Sequence, residues 1–256
     1  MCKAGPAVNT MARAVEIENF SYKYPDGTAA LDGVNLGIDH GEKVVLIGPN
    51  GAGKSTLLLA MAGFVKGTGK VVIDGLEITR GNLKKIRACL CSCLENPDDQ
   101  LFMPTLFDDV AFGPLNMGLT PEEIKMRVAD ALRTVGLAEM ADKAPHHLSA
   151  GQKRAAAIAT VLSMAPKIIT MDEPDGSLDP RNCGKLLKLL GSLPQTLIIA
   201  TCNMNFAAAL ADRAILVDGG RIIADGHAKE IMADAKLMAE HGLEVPGTIR
   251  QVPLKD

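Results

Sequence analysis

The segment Gly48-Pro49-Asn50-Gly51-Ala52-Gly53-Lys54-Ser55 constrains this chain more than any other part of it. It follows the compact apolar run Lys43–Ile47 and precedes Leu57–Val65, a largely apolar stretch of helical length. A strand, a glycine-rich turn and a helix in that order make an anion cradle. The glycines admit a tight loop, and successive backbone N–H groups, with the helix N-terminus, face phosphate oxygens. The Lys54 ammonium is expected to meet the outer phosphates of a nucleotide and the Ser55 hydroxyl to ligate Mg²⁺, with Thr56 completing the binding segment. The pattern marks a nucleotide phosphate site.

The rest of the chain alternates strand-like and helix-like runs, which predicts a mainly parallel α/β sheet. Residues 14–38 read as short strands broken at Pro25-Asp26-Gly27, and Lys70–Ile78 as strand, turn and strand about Asp74-Gly75. Arg213–Gly226 reads as a hairpin around Asp218-Gly219-Gly220. From about 97 to 147 the composition turns helical, with Pro121 and two Glu opening one clear helix, and this stretch is expected to be an inserted helical subdomain. Ile168–Met171 and Leu197–Ala200 are further apolar strands. The first of these ends in Asp172-Glu173, at the strand end where open α/β sheets bind their ligands. Asp172 is therefore assigned to Mg²⁺, and Glu173 to polarising an attacking water as general base.

Composition removes other classes. The 256 residues are 47% hydrophobic and 22% charged, with net charge −3, enough for a large core and too apolar for a disordered chain. Aromatic residues make up 3% with no Trp, and the balance is weakly acidic, so no nucleic-acid partner is expected. No apolar run is long enough to span a bilayer. Met1–Thr10 carries one Lys and no apolar core of a secretory signal, so the chain is expected to be cytoplasmic, with its six Cys reduced. Cys89, Cys91 and Cys93 alternate, which places them on one face of a predicted strand and opens a metal reading beside the more common one of buried thiols. The pairs Lys84-Lys85 and Lys153-Arg154 read as solvated faces.

Leu148-Ser149-Ala150-Gly151-Gln152 lies between the two phosphate-site motifs. With it in place the chain resembles the ATP-binding subunits of ABC transporters, whose signature is LSGGQ, over about residues 14–247, leaving tails at 1–13 and 248–256. The resemblance implies a P-loop NTPase core of ABC type with an N-terminal antiparallel β subdomain and an inserted α-helical subdomain. It implies ATP and Mg²⁺ as cofactors, and a head-to-tail dimer in which Ser149, Gly151 and Gln152 grip the γ-phosphate of ATP held by the other subunit. Tyr24 resembles the aromatic that stacks on adenine, and Asp179 the aspartate that links the two sites across the dimer. The stretches 96–119 and 240–246 are similar to the energy-coupling-factor and cobalt/nickel importer branch. That branch implies import of cobalt or nickel ions or a vitamin, a transmembrane partner met by the segment after the Q-loop, and an identical or paralogous second ATPase subunit. It also implies a peripheral place on the cytoplasmic face of the membrane.

Two positions depart from the family pattern. Glu95 stands where a Q-loop glutamine is usual; it can still ligate Mg²⁺ but adds charge and cannot donate a hydrogen bond. Cys202 stands where the H-loop histidine is usual, and a neutral thiol is a weak donor to a developing phosphate charge. Asp175 is a third oddity, an extra acid just after Glu173. Slow hydrolysis at the chain's own site is the expectation. The alternatives are a non-hydrolysing regulatory subunit in a heterodimer and a soluble ABC ATPase unconnected to transport.

Overall fold

A computed structural model describes residues 13–176 and 178–249. The expected tails at 1–13 and 248–256 lie outside these residues except for 13, 248 and 249. Strands β1 (Val15–Lys23) and β2 (Ala29–Ile38) flank the turn at 25–27, which is closed by the Tyr24 N–H on the Thr28 carbonyl at 2.9 Å. With β4 (Thr68–Ile73) and β5 (Leu76–Glu77) they form a four-stranded antiparallel sheet in the order β2-β1-β4-β5.

The second sheet contains β3 (Lys43–Ile47), β6 (Leu90–Cys93), β7 (Ile168–Asp172), β8 (Thr196–Ala200), β9 (Arg213–Asp218) and β10 (Arg221–His227). Its order is β10-β9-β3-β8-β7-β6, parallel except for β10, which is hairpinned back on β9. β3, β7 and β8 are apolar at almost every position because both faces of a parallel sheet are covered. On one side Leu46, Ile198 and Ile215 share a core with Ile17, Ile38 and Ile73 of the antiparallel sheet and with Leu57 and Met61 of helix α1 (Lys54–Met61). On the other, Ile169, Leu197 and Ile199 meet Ile158 of α5 (Ala150–Leu162), Leu190 of α6 (Pro180–Ser192) and Phe206 of α7 (Met204–Leu210).

A separate core joins α3 (Leu106–Met117), α4 (Pro121–Thr134) and α5 through Leu106, Val110, Val128, Leu132 and Ala156. α4 begins where Thr120 and Glu123 cap each other's backbone N–H, with Pro121 at the first helical position. Two helices, α8 (Ala228–Ala233) and α9 (Ala235–Glu240), close the chain against Val45, Ile47 and Leu216.

One sequence expectation fails. Cys89 is the last residue of α2 (Leu83–Cys89), so only Cys91 and Cys93 lie on the strand, and the three thiols do not share a strand face. Cys91 and Cys93 are buried, and burial pushes Cys91 up to about 12 and Cys93 to about 11, so both are neutral core thiols. Among the described residues no three His, Cys, Asp or Glu side chains group to hold a metal ion.

Phe206 is buried between α7 and the parallel sheet, and Phe206→Ala removes its ring from that packed core. The expected cost is about 3–5 kcal/mol, read as a lower denaturant midpoint at unchanged slope.

Candidate functional site

Three strand ends build the site. β3 runs into residues 48–53, β7 ends in Asp172, and Cys202 lies two residues beyond β8, so all three converge at the carboxyl edge of the sheet. The turn needs its glycines. Gly48 has φ 152°, and a Cβ there would lie 2.0 Å from the Val217 carbonyl oxygen. Gly53 has φ 106° and a Cβ there would sit 2.6 Å from the Ala30 carbonyl oxygen. The loop is pinned from outside by the Gly220 N–H on the Ala52 carbonyl at 2.9 Å, so the β9–β10 turn acts as its floor.

α1 starts at Lys54 with no side-chain cap and no acidic residue in its first turn. Its first N–H groups are thus left for an anion, and the helix dipole favours one there. The buried Lys54 ammonium donates to the carbonyls of Gly48 at 2.8 Å and Pro49 at 3.1 Å and reaches Cys202 Sγ at 3.3 Å. Cys202 Sγ is also 3.1 Å from Asn50 Oδ1, so the thiol stands at the lip of the loop. Burial raises this thiol above its ordinary value, the Glu173 carboxylate adds to that and Lys54 opposes it, which leaves it neutral at pH 7.

The acids lie opposite. Burial holds Asp172 above the usual carboxylate range; the charges of Glu173 and Glu95 raise it further, while the Ser55 hydroxyl and the Lys54 ammonium pull it down. Ser55, Glu95 and Asp172 line one cleft of about 290 Å³. Asp172 Oδ1 is buried with no hydrogen-bond partner. An orphaned carboxylate oxygen beside a serine hydroxyl and a second carboxylate is a hard oxygen donor set, and it fits Mg²⁺. Glu173 sits in the left-handed region at φ 43° and its Oε2 accepts the Cys202 N–H at 3.1 Å. The cluster thus has cationic and N–H donors for a polyphosphate at one end and carboxylates for a metal and a water at the other.

Tyr24 reaches the same helix start, its hydroxyl 2.9 Å from Thr56 Oγ1 and its ring edge-on to Tyr22. The remaining expected residues are elsewhere. Ser149 caps α5, accepting the Gln152 N–H at 3.4 Å, while Gln152 Oε1 accepts the Ser149 N–H at 2.9 Å. Asp179 caps α6 through the Asn182 N–H at 2.9 Å. Ser149, Gly151 and Gln152 line a groove against Asn182, and none of the P-loop residues borders it.

Arg154 corrects another expectation. It is buried, not solvated, and donates to the carbonyls of Leu94 at 2.9 Å and Glu95 at 2.6 Å, tying α5 to the loop that carries Glu95. Its neighbour Lys153 pairs with Asp98 at 2.6 Å, while Lys84 and Lys85 are exposed as expected.

Residues 31–176 match the family described as ABC transporter. The chain belongs to that family. A putative ABC transporter ATP-binding protein of Geobacter sulfurreducens is 45% identical over 241 residues, covering 94% of this chain and 97% of the relative. The energy-coupling factor transporter ATP-binding protein EcfA of Methanothermobacter thermautotrophicus is 42% identical over 240 residues, 91% of this chain and 77% of its own. Among solved structures, cbiO1 of Clostridium perfringens, described as part of the ABC transporter complex cbiONQ, superposes with TM-score 0.81 at 37% identity. That superposition covers 90% of this chain and 94% of cbiO1. The expected ABC-type core, antiparallel β subdomain and helical subdomain are borne out, and the energy-coupling-factor resemblance is met by relatives that carry that name. This is an ABC ATP-binding subunit, and hydrolysis of ATP is the general activity of its family. No helix of the described residues is long and apolar enough to cross a membrane.

Proposed function

We propose that this chain is the ATPase subunit of an energy-coupling-factor-type importer, carried peripherally on the cytoplasmic face by a transmembrane partner, with cobalt or nickel ions or a vitamin as cargo. The convergence of Lys54, Ser55, Glu95, Asp172 and Glu173 at one sheet edge supports the ATPase part of the reading, and the likeness to EcfA and cbiO1 supports the importer part. Lys54 and the α1 N–H groups take the ATP phosphates, Tyr24 stacks on the adenine, and Gly48 to Thr56 wrap the chain around them. Ser55, Asp172 and Glu95 hold Mg²⁺, which when bound neutralises charge on the outer phosphates. Glu173 takes the proton of the attacking water.

Head-to-tail pairing with an identical or paralogous subunit is supported by the separation of Ser149, Gly151 and Gln152 from the chain's own P-loop. A second subunit brings its signature over this chain's ATP, and Asp179 stands beside that seam. Cys202 and Glu95 support slowed turnover at this site, since one weakens a donor to the γ-phosphate and the other crowds the metal with charge.

The membrane partner is supported by an apolar patch on the helical subdomain. Phe102, Phe112 and Leu115 are 62%, 43% and 55% exposed, and the two rings meet edge to face at 5.1 Å. The exposed ring pair, with Leu115 one turn further along α3, supports a docking surface there. The chain expressed with its own membranes is expected to co-purify with an integral membrane protein in mild detergent. Phe102→Asp with Phe112→Asp should reduce that recovery at least tenfold while leaving ATP binding intact. Recovery of the unaltered chain free of any membrane protein would overturn the transporter reading.

A further inference from the structure

Asp175 is buried, yet the phosphate chemistry above does not use it. Its Oδ1 accepts the hydroxyl of fully buried Thr201 at 2.9 Å. The Thr201 Oγ1 accepts the Asn203 N–H at 3.0 Å, and Asn203 Oδ1 in turn caps α7 at the Phe206 N–H. A chain of hydrogen bonds therefore runs from the turn after β7, through the loop after β8, into the start of α7. Between Thr201 and Asn203 lies Cys202, whose N–H is the donor to Glu173 Oε2. The turn itself is closed by the Glu173 N–H on the Ala200 carbonyl at 2.8 Å and the Gly176 N–H on the Glu173 carbonyl at 3.0 Å.

We propose that Asp175 is a positioning residue: by holding Thr201 it fixes the 201–203 loop so that the Cys202 amide aims at and orients the Glu173 carboxylate. The proposal rests on the reading of Glu173 as the base that activates water. A half-buried glutamate with no partner for its carboxylate would sample several rotamers, whereas one that accepts a fixed N–H is restrained. A thiol at position 202, a weak phosphate donor, leaves the backbone amide as it is, so this part of the machinery persists despite the altered residue. A buried carboxylate is expensive without partners, and the Thr201 hydroxyl is the contact that repays it.

The test uses the full chain with Asp175→Asn, Asp175→Ala and Thr201→Val. Asn keeps an oxygen that can accept the hydroxyl; Ala removes only the Asp175 side of the bond, whereas Val also removes the oxygen that accepts the Asn203 N–H, so the Asp175 variants and the Cys202 amide decide the test. Amide exchange at residues 201–203, followed by NMR or by mass spectrometry of peptides covering them, should accelerate tenfold or more in the Ala and Val variants and less than threefold in the Asn variant. The Ala/Val double variant should be no worse than Thr201→Val alone, since removing the hydroxyl already leaves Asp175 nothing to hold. In ATP turnover, kcat should fall about tenfold or more in the same two variants and stay within threefold in Asn, with KM for ATP within twofold throughout. Unchanged exchange at Cys202 and Asn203 in folded Asp175→Ala overturns the clamp. Faster exchange with unchanged kcat overturns the link to Glu173. If the unaltered chain, alone and with its membrane partner, shows no turnover at all, the hydrolysis reading falls, and the exchange rates still decide whether Asp175 holds the loop.

Discussion

Cys202→His raises ATP turnover by about 10²–10³, the factor carried by one well-aimed donor to developing oxyanion charge. The thiol occupies the lip of the phosphate loop, 3.3 Å from the Lys54 ammonium and 3.1 Å from Asn50 Oδ1, and burial keeps it protonated. A neutral S–H is a weak donor, so the γ-phosphate gains little from it as charge builds. An imidazole N–H in the same place is a strong one. The backbone is already set for the exchange, because the Cys202 N–H is bound to Glu173 whatever the side chain is. The measurement is phosphate release by the unaltered chain and the variant at saturating Mg-ATP, with ATP affinity taken separately. A gain confined to kcat is the expected outcome. Brisk release by the unaltered chain, with no gain from His, would mean that the thiol costs nothing and the site is an ordinary transporter ATPase. Silence from both would move the weight to a regulatory subunit that uses ATP only to close a dimer.

What was legible in the sequence is what local chemistry dictates. Lys43–Ile47, the glycines and Lys54-Ser55 lie next to each other in the chain, and each has one conformation that satisfies it: buried strand, positive-φ turn, uncapped helix start. Asp172 and Glu173 were readable for the same reason, as acids at the end of an apolar run. Features set by distant packing were not. Arg154 beside Lys153 has the pattern of a solvated pair, and only the docking of α5 on residues 94–95 buries its guanidinium. Cys89, Cys91 and Cys93 have the spacing of a strand, but Cys89 is claimed by α2, whose side chains Lys84, Lys85 and Arg87 suit a helix, and β6 starts only at Leu90. Asp175 was visible as an anomaly, yet its partner Thr201 is 26 positions away and on another strand end, so no local rule could supply it.

Glu173→Gln, made in the Cys202→His chain so that there is a rate to lose, lowers turnover by about 10²–10⁴, the usual contribution of a positioned general base. Gln is isosteric and keeps an oxygen for the Cys202-position N–H, so the turn at 173 and the loop at 201–203 stay in register. Lys54, Ser55 and Asp172 are untouched, so ATP still binds. Binding without hydrolysis removes the step that reopens a nucleotide-closed pair, and the altered chain should therefore accumulate as an ATP-dependent dimer. Size-exclusion chromatography with and without Mg-ATP, beside the rate assay, reads both consequences. A dimer that forms with ATP in the Gln variant and dissociates in the chain that can hydrolyse it ties the carboxylate at 173 to reopening. A rate retained within tenfold would instead assign the water to another acid, and Glu95, in the same cleft as Ser55 and Asp172, is the one placed to take it.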